Sequence, residues 1–327
     1  MKRSGKVAGV PRKEMVSEKN KIALYRYSLK SKVIFFSYIN YWTKLKLTDK
    51  TKIVFTSHGE FPLKDCTKYY DYLCGPQENK IIIATRTETT KKLLLKHYPI
   101  MANHYLEILG MPRSDTFYNC NVDKEEVLRK IGVEDYKDKK IIINMTTFRH
   151  EHDQGLDYFE DEYPIKLKNE DLDEINEVLR ENNEILLIKM HPSQDGVKMP
   201  ENKDCIRFMT NNDIVRLGLT IQSLYSICDA MITDYSTSFL GFLTLDRKII
   251  FLVTDKEKYT TDRGWTVDNV EDFMPGEKIT TKEELIDVFK NLSREDKYKD
   301  FRHEIKNKIV GDYKDQNCKS FTDKFLK

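Results

Sequence analysis

Residues that can bind a phosphate stand at the ends of apolar runs in this sequence. The apolar run 230–233 is followed by Asp234, Ser236 and Thr237, and a second apolar run begins a helix's length later, at Lys248. This order is typical of a strand, a turn, a helix and a second strand. The backbone N–H groups of a helix start, together with two hydroxyls, form an anion site, and an open α/β sheet holds nucleotide phosphates there. The alternative is that the two hydroxyls only cap a helix.

Four further motifs follow apolar runs in the same way. They are Ser57-His58-Gly59, the segment from Gly110 through Arg113 to Asp115, Thr146-Thr147-Phe148-Arg149, and Lys189-Met190-His191-Pro192. Because the carboxyl ends of parallel strands meet at one edge of a sheet, the five motifs together predict one site. Their imidazole, guanidinium, ammonium and hydroxyl groups suit a phosphate ester or a diphosphate, since Arg binds phosphate oxygens bidentately and Lys supplies a point charge.

Each of these residues also has a structural alternative. An ion pair with Asp115 is the alternative for Arg113, and a strand-end charge that reaches solvent is the alternative for Lys189. Histidines without chemical neighbours in the sequence are interpreted as structural, and these are His97, His104 and His303.

Metal-ligand spacing is absent from the sequence. The Asp-x-Asp sequence at 171–173 begins an amphipathic helix, where negative charge complements the helix N-terminus. His150 and His152 flank a glutamate at the start of the acidic, aromatic segment 151–162, which we interpret as a surface loop with metal binding as the alternative. We therefore predict that the protein uses neither a metal nor another cofactor.

Composition excludes several classes of protein. A chain of 327 residues fits one large or two ordinary domains, and its hydrophobic fraction of 39% is enough for real cores. The 55 basic and 53 acidic residues nearly cancel, which argues against a dedicated nucleic-acid-binding protein. Six scattered cysteines without a C-x-x-C pair indicate reduced thiols of a cytoplasmic protein. The sequence predicts neither a signal peptide nor a membrane-spanning helix.

The basic charge is concentrated at the start of the sequence. Residues 1–21 hold seven Lys or Arg against two Glu, and residues 30–46 interleave lysines with aromatic side chains. Such a mixture predicts contact with an anionic membrane surface. The alternative, which we favour for the fold, is a solvated tail followed by an ordinary core strand at 33–39.

Apolar runs alternate with helical patterns along the rest of the chain. The predicted strands are 52–57, 80–85, 105–110, 140–145, 184–190, 230–234 and 248–253, and the predicted helices are 87–98, 171–183, 219–228 and 281–292. Continuous rather than alternating hydrophobicity indicates parallel strands covered on both faces. We therefore predict an α/β fold of two doubly wound, Rossmann-like domains that face a cleft, with the boundary near residue 120.

With these motifs in view, the chain resembles the CDP-glycerol glycerophosphotransferase family of teichoic acid and capsule polymerases. The resemblance runs from about residue 58 to about residue 292, and the segment 227–265 is similar to that family's donor-site segment nearly throughout. KMHP, TTFR, GMPRSD and HGEFPLKD match its other landmarks in the same order. The chain departs from the family at Ser57, where Trp is common, at HGEFPLK, which is one residue longer, and at Gly241, where an acidic residue is expected.

The resemblance implies a GT-B-type fold with a trimmed N-terminal domain. Residues 1–120 would form the acceptor-side domain with its basic tail, and residues 121–327 the CDP-donor-binding domain, with the last helix packing back on the first domain. The implied activity is transfer of a polyol phosphate, with CDP-glycerol favoured over CDP-ribitol as donor, to a hydroxyl of a glycan or lipid-linked teichoic-acid-type or capsular acceptor. CMP would be released.

The resemblance also implies roles for individual residues. His58 is expected to act as general base, because an imidazole with a pKa near about 6.5 is available in its neutral form. His191 is expected to be catalytic as well, offsetting charge that builds on the phosphoryl oxygens. The expected donor-binding residues are Arg113, Asp115, Thr147, Arg149, Lys189, Asp234, Ser236, Thr237, Arg263 and Gly264, and the residues expected to bind acceptor or phosphate are Gly59 and Lys64.

The implied location is the cytoplasm, peripheral to the inner face of the plasma membrane, because the family builds polymers on lipid carriers. Two alternatives stay open. One is a nucleotide-sugar glycosyltransferase of the same GT-B fold, since a fold does not settle function. The other is a catalytically silent, membrane-associated assembly subunit, against which the retention of both His58 and His191 argues.

Overall fold

Two separate parallel sheets make up the frame of the protein. The computed structural model describes residues 21–38, 47–48, 50–57, 61, 63–76, 79–133, 137–147, 167–190, 200–312 and 316–327. Within these residues every pair of neighbouring strands in both sheets is parallel. The predicted α/β class with two Rossmann-like domains is confirmed, and among the described strands the doubly wound order appears in the second sheet.

The first sheet has four strands in sequential order. They are β1 (Val33–Phe36), β2 (Lys52–Phe55), β3 (Ile81–Thr85) and β4 (Tyr105–Ile108). Successive residues of β2 such as Ile53, Val54 and Phe55 are all buried, which places both faces of this strand inside the domain. This burial explains why the strand appears in the sequence as an unbroken apolar run.

The second sheet has six strands, and their order reverses once. They are β5 (Lys140–Met145), β6 (Glu184–Lys189), β7 (Ile206–Met209), β8 (Ala230–Thr233), β9 (Lys248–Leu252) and β10 (Glu277–Ile279), in the spatial order β10-β9-β8-β5-β6-β7. The chain leaves β5 towards β6 and β7 and then returns to β8 on the other side of β5. The carboxyl ends of β5 and β8 therefore flank a topological switch point, where open α/β sheets bind ligands.

Helices cover the sheets and connect the strands. They are α1 (Lys21–Lys30), α2 (Thr67–Cys74), α3 (Glu88–His97), α4 (Thr116–Asn119), α5 (Lys124–Lys130), α6 (Asn169–Glu181), α7 (Asn211–Arg216), α8 (Ile221–Ser226), α9 (Ser238–Phe242), α10 (Lys256–Asp262), α11 (Lys282–Asn291), α12 (Lys299–Ile305) and α13 (Asn317–Phe325). Capping residues begin several of them: the Thr87 side chain accepts a hydrogen bond from Thr90 N–H at α3, and Thr281 does so from Glu284 N–H at α11.

All seven strands predicted from the apolar runs are present, and so are the four predicted helices. The strands β7 and β10 were not predicted. Arg207 interrupts the apolar pattern of β7, and β10 has three residues, of which Glu277 and Lys278 are charged. Arg207 is nevertheless buried, because its guanidinium donates hydrogen bonds to the carbonyl oxygens of Ile131 and Gly132.

The helix α13 lies against the first sheet, although it follows the second sheet in the sequence. Phe321 and Phe325 form a buried cluster with Val54 of β2 and Leu109, which follows β4. The Phe35 ring of β1 completes this contact, with its centroid 6.0 Å from that of Phe321 and 5.9 Å from that of Phe325. One of the aromatic residues considered for membrane contact is therefore part of the packing between sheet and helix.

The basic tail lies largely outside the described residues, as do residues 39–46 of the Lys-plus-aromatic segment. None of the helices described here is both long enough and apolar enough to cross a membrane.

Candidate active site

A cleft of about 550 Å³ lies between the carboxyl-end edges of the two sheets. Its lining residues before the predicted boundary near residue 120 are Tyr38, Ser57, Lys64, Cys66, Tyr69, Tyr70, Arg113 and Phe117. Those after it are Met145, Lys189, Asn211, Ile221, Gln222, Tyr225, Ser236, Thr237, Ser238 and Gly241. Both sheets thus present strand ends to one space. Four of the five motifs contribute lining residues, and the described residues of the motif after β5, Thr146 and Thr147, do not. This space is large enough for a nucleotide-sized ligand.

A buried carboxylate organises the switch point at the floor of the cleft. Asp234 has no solvent exposure, and its oxygens accept hydrogen bonds from the Thr147 N–H (2.8 and 2.9 Å), the Thr147 hydroxyl (3.0 Å) and the Ser236 N–H (3.0 Å). The Thr233 hydroxyl also donates to the carbonyl oxygen of Met145, at 2.6 Å. The turns after β5 and β8 are therefore joined by several bonds. Of the two residues that Asp234 holds, Ser236 lines the cleft, whereas neither Thr147 nor Asp234 itself is among the lining residues.

Two hydroxyl residues follow this carboxylate and line the cleft. The Ser236 hydroxyl lies 2.7 Å from that of Ser238 and accepts a long hydrogen bond from the Ser238 N–H, at 3.4 Å. Thr237 precedes α9, but its side chain makes no capping hydrogen bond to the helix. Because α9 has only five residues, hydroxyls and backbone N–H groups carry more of any anion binding here than the helix dipole does. The capping alternative therefore explains the Ser236 hydroxyl, which accepts the Ser238 N–H, but it does not explain the Thr237 hydroxyl.

Three cationic side chains line the cleft from different elements. Lys189 ends β6 and is 8% exposed, so that its ammonium is held in a largely dry position. Arg113 belongs to the 3₁₀ turn Pro112–Asp115, which follows β4. Lys64 approaches from the first domain. Charges on three sides of a cleft favour a ligand with several anionic oxygens, such as a diphosphate.

Asp115 is buried and is not among the residues that line the cleft. Its Oδ1 accepts hydrogen bonds from the Asn317 N–H (3.0 Å) and from Asn317 Nδ2 (2.6 Å), and its Oδ2 accepts one from the Cys318 N–H (2.7 Å). The structure thus gives the Asp115 carboxylate a role in holding the start of α13.

The two domains are joined beside the cleft by an interdomain strap, which consists of residues 63–66 and 264–266. The Thr266 N–H donates to the Leu63 carbonyl oxygen at 2.8 Å, and an isolated antiparallel bridge forms between the middle residues of the two segments. The Tyr98 hydroxyl lies 3.0 Å from the Thr266 hydroxyl and also accepts a hydrogen bond from the backbone of the first segment. The strap sets the position of the Lys64 backbone against the second domain.

Gly264 belongs to this strap and Arg263 directly precedes it, and neither is among the residues that line the cleft. Gly264 has φ +71, a left-handed conformation that favours glycine, and its carbonyl oxygen accepts the Asp65 N–H at 3.1 Å. Arg263 is exposed at the end of α10. Burial raises the pKa of the nearby Cys66 thiol, and the positive charges of Lys64 and Arg263 partly oppose that rise. Burial likewise raises the pKa values of Tyr69 and Tyr70, so these phenols stay neutral.

One end of the cleft was not predicted from the sequence. The rings of Phe117 and Tyr225 lie parallel there, with an interplanar angle of 9° and centroids 6.2 Å apart. The amides of Gln222 and Asn211 line the same cleft. Gly241 lies against both rings, since a Cβ atom at this position would meet Phe117 at 3.7 Å and Tyr225 at 3.8 Å. This aromatic end differs chemically from the cationic and hydroxyl-lined part.

Several predicted residues lie outside the described part of the chain, namely His58, Gly59, Arg149 and His191. Their roles stay predictions. Ser57 and Lys189, which precede His58 and His191 in the two motifs, both line the cleft. In the described part of the chain, no group of three or more His, Cys, Asp or Glu side chains is arranged to hold a metal ion, and the loop with His150 and His152 is not covered by that statement.

Two parallel-sheet domains with a ligand cleft between their carboxyl-end edges define the GT-B-type fold. The model of the CDP-glycerol:poly(glycerophosphate) glycerophosphotransferase family matches residues 2–320. The chain therefore belongs to this family, and the resemblance found in the sequence motifs is confirmed.

Individual relatives agree with this assignment. The chain is 30% identical over 269 residues to a teichoic acid poly(glycerol phosphate) polymerase of Bacillus spizizenii, covering 80% of this chain and 56% of the relative. It is 26% identical over 260 residues to a teichoic acid glycerol-phosphate primase of Bacillus subtilis, covering 79% of this chain and 58% of the relative. The chain thus spans little more than half the length of these two relatives.

Solved structures share the fold. The wall teichoic acid polymerase TagF superposes with a TM-score of 0.67 at 18% identity, covering 90% of this chain and 72% of that chain. A variant of the same polymerase soaked with CDPG for 15 minutes superposes with a TM-score of 0.69, with the same coverage. At this level of identity the likeness concerns the fold.

Proposed function

We propose that this protein transfers a polyol phosphate, with glycerol phosphate favoured, from a CDP-activated donor to a hydroxyl of a teichoic-acid-type or capsular glycan acceptor. The observation that carries the proposal is the cleft at the switch point, which Ser236, Thr237, Lys189 and Arg113 all line. Membership of the glycerophosphotransferase family supports the reaction class. The polymerase soaked with CDPG supports the donor class.

The reaction would be a displacement at phosphorus. The acceptor oxygen forms a new bond to the phosphorus that carries the polyol, and the bond from this phosphorus to the oxygen bridging the two phosphates breaks. CMP leaves with that bridging oxygen, and the acceptor proton passes to the general base. Arg113 and Lys189 can stabilise the negative charge that develops on the phosphoryl oxygens, and the burial of Lys189 strengthens its charge-assisted bonds.

We assign the aromatic end of the cleft to the cytosine base. A base has a π face on each side, and stacking on an aromatic side chain contributes about 1–3 kcal/mol per base in other nucleotide-binding proteins. Phe117 and Tyr225 supply aromatic surface, and Gln222 and Asn211 supply amides that can both donate and accept hydrogen bonds. The diphosphate would then extend towards Ser236.

The first domain would supply the acceptor side and the general base. We propose His58 as the base and His191 as a second catalytic group, with Gly59 and Lys64 near the acceptor or a phosphate. Ser57 and Lys64, which stand before and after His58 and Gly59 in the sequence, line the cleft and support this proposal. Arg149 is proposed as a further donor-binding cation.

We also propose that the protein works in the cytoplasm, at the inner face of the plasma membrane, and is held there by its basic tail. Residues 1–21 have an excess of five positive charges over negative ones. Each basic residue near an anionic surface contributes about 1 kcal/mol at low salt. Binding to anionic liposomes at low salt, lost at high salt and reduced by deletion of residues 1–21, would support this location. Indifference to such liposomes at low salt would contradict it.

Nucleotide release tests the proposed activity. The purified chain is incubated with a poly(glycerol phosphate) oligomer as acceptor and with CDP-glycerol, CDP-ribitol or a UDP-sugar as donor, and the released nucleotide is measured. We expect CMP from CDP-glycerol, less CMP from CDP-ribitol, and no UDP. Release of UDP alone would instead identify a sugar transferase, and no release from any donor would favour the silent assembly subunit.

A matched pair of lysine variants connects this activity to the cleft. Lys189→Met removes a cleft ammonium, and Lys92→Met removes an exposed one on α3. We expect the first variant to lose at least about 10-fold in kcat/KM for CDP-glycerol, since a hydrogen bond to a charged group contributes about 1.5–3 kcal/mol. The second variant should match the wild type. Equal activity of the wild type and both variants would show that the reaction does not take place in this cleft.

A further inference from the structure

Asn317 of α13 holds both ends of the turn that carries Arg113. Its Oδ1 accepts the Met111 N–H at 2.8 Å, and its Nδ2 donates to Asp115 Oδ1 at 2.6 Å. Met111 and Asp115 stand two residues before and two residues after Arg113. The single amide therefore spans the turn, using its acceptor on one side and its donor on the other.

The orientation of this amide is determined by its partners. A backbone N–H can only donate, so the amide oxygen must face Met111, and the NH₂ group is left to donate to Asp115. Asn317 is 1% exposed, and hydrogen bonds in such dry surroundings hold their geometry strongly. The turn backbone is fixed further by the Ser114 N–H, which donates to the Met111 carbonyl oxygen at 2.8 Å.

We propose that Asn317, acting with Asp115, is a positioning residue for Arg113, so that α13 is a functional part of the donor site. This inference rests on the proposed function, in which Arg113 binds a phosphate of the donor. Arg113 itself lines the cleft, whereas neither Asn317 nor any other residue of α13 does. Loss of the amide would let the turn move, and a guanidinium displaced by about 1 Å loses much of a bidentate phosphate contact.

A double-mutant cycle with binding of CDP as readout tests the proposal. Arg113→Ala should weaken CDP binding by about 10- to 100-fold, as expected for loss of a charge-assisted bond. Asn317→Ala should weaken it by about 5- to 30-fold in the presence of Arg113. In the Arg113→Ala background, Asn317→Ala should not weaken CDP binding further, because the side chain that Asn317 positions is absent. Additive losses would overturn the proposal.

A pH profile provides a readout that a purely structural role would not produce. In Asn317→Asp the new carboxyl faces Asp115, and two carboxylates at this distance repel each other unless they share a proton. The protonated carboxyl can replace the amide, since its O–H donates to Asp115 and its carbonyl oxygen accepts the Met111 N–H. The ratio of variant to wild-type CDP affinity should therefore rise at least about 5-fold between pH 8 and pH 5.5. A ratio that does not change with pH would count against positioning.

A second change in α13 separates positioning from general loosening of the helix. Phe325→Leu weakens the packing of the same helix at its other end and touches no residue of the Arg113 turn. It should lower the melting temperature and leave CDP affinity within about 2-fold of the wild type. If Phe325→Leu and Asn317→Ala have similar melting temperatures and weaken CDP binding equally, Asn317 is not a positioning residue for Arg113.

The proposed function and the positioning role can fail separately. A wild type that binds CDP and shows the coupling, but releases no CMP from CDP-glycerol, would leave the positioning role standing and remove the activity. A wild type that releases CMP, combined with additive losses in the cycle, would do the reverse. A wild type that neither binds CDP nor releases CMP overturns both.

Discussion

The two ends of the six-stranded sheet each bury a carboxylate, and the surroundings of the two differ sharply. Asp234, at the carboxyl end of β8, accepts hydrogen bonds from Thr147 and Ser236. Glu184, at the amino end of β6, is 1% exposed, and its Oε2 has no hydrogen-bond partner among the described residues. Burial raises the pKa of Glu184 to about 8, with Asp229 adding to that rise and Lys140 opposing it.

This difference shows what burial of a charge can do in one fold. A carboxylate that accepts several hydrogen bonds is held in one geometry and can fix the turns around it, as Asp234 fixes Thr147 and Ser236. A carboxylate without such donors is driven towards its neutral form and lowers the stability of the charged state. We expect variants at the carboxyl-end edges to change catalysis and binding, and variants at the amino-end edge to change stability alone.

The largest expected effect belongs to the proposed base, His58, which follows β2 in the sequence. His58→Ala should lower kcat for CMP release by about 10²–10⁴-fold, because that is the usual contribution of a general base. CDP affinity should stay close to the wild type, since the donor side of the cleft is unchanged. Steady-state kinetics and calorimetry measure the two quantities. Unchanged turnover would remove His58 from the mechanism.

Removal of the carboxylate that fixes the switch point should affect both binding and stability. Asp234→Ala leaves buried N–H groups of Thr147 and Ser236 without an acceptor, which costs about 2–4 kcal/mol of unfolding free energy. CDP affinity should fall by about 30-fold or more. Asp268→Ala is the control, because its carboxylate is 90% exposed and makes only a surface ion pair with Lys96. Equal CDP affinity in Asp234→Ala and wild type would contradict the organising role.

The amino-end edge is tested by Glu184→Gln. The folded pKa of about 8 lies above the usual carboxyl value of about 4.3, so the folded state binds more protons than the unfolded state between these pH values. Stability of the wild type therefore falls as pH rises through this window. The variant should gain about 1–3 kcal/mol relative to the wild type between pH 5 and pH 9 in urea unfolding.

The same variant checks that the two edges are independent. Its KM for CDP-glycerol should equal that of the wild type, because Glu184 and Lys189 stand at opposite ends of β6. Stability curves of variant and wild type that run parallel across the pH range would show that the Glu184 carboxyl keeps an ordinary pKa. A changed KM would show that the amino-end edge of the sheet does affect donor binding at the carboxyl-end edge.

The hydroxyls of the cleft should give a smaller effect. Ser236→Ala and Thr237→Ala should each weaken CDP binding by about 5- to 10-fold, since a neutral hydrogen bond contributes about 1 kcal/mol. Acceptor KM should not change. Thr261→Ala is a matched control on α10, where the hydroxyl donates to the Glu257 carbonyl oxygen away from the cleft. If the double variant binds CDP as tightly as wild type does, the hydroxyls do not hold the diphosphate.

Chelation should have the smallest effect, because cationic side chains can take the place of a divalent ion at the phosphates. We expect CMP release to continue in excess EDTA at the rate seen without it. Large loss that magnesium or manganese restores would instead make the segment with His150 and His152 a candidate for metal binding.

The frame of the protein was predictable because its strands are buried on both faces. Ile141, Ile142 and Ile143 of β5 are fully buried, and such runs are visible in the sequence without knowledge of their partners. The strand β7 was missed because Arg207 stands in its middle. The carbonyl oxygens that make its burial possible belong to Ile131 and Gly132, and no local pattern reveals such distant partners.

The site was predictable where its residues follow strands and not where they lie on helices. Lys189 and Ser236 are polar residues at the ends of apolar runs, and the switch point brings these ends together. Tyr225 was interpreted as part of an ordinary amphipathic helix, because a periodic pattern cannot show that α8 faces a cleft. Asn317 gives no signal either, since its partner Asp115 is 202 residues away in the sequence.

The contact of α13 with the first sheet has a consequence for synthesis of the protein on the ribosome. Met111 and Asn317 are 206 residues apart, so the first sheet emerges long before the helix that covers it. At translation rates of about 5–20 residues per second, the apolar surface around Val54 and Leu109 waits on the order of 10–40 s for Phe321 and Phe325. The nascent first domain therefore exposes this apolar surface to solvent during the interval, and its packing is completed only after residues 321 and 325 have been translated.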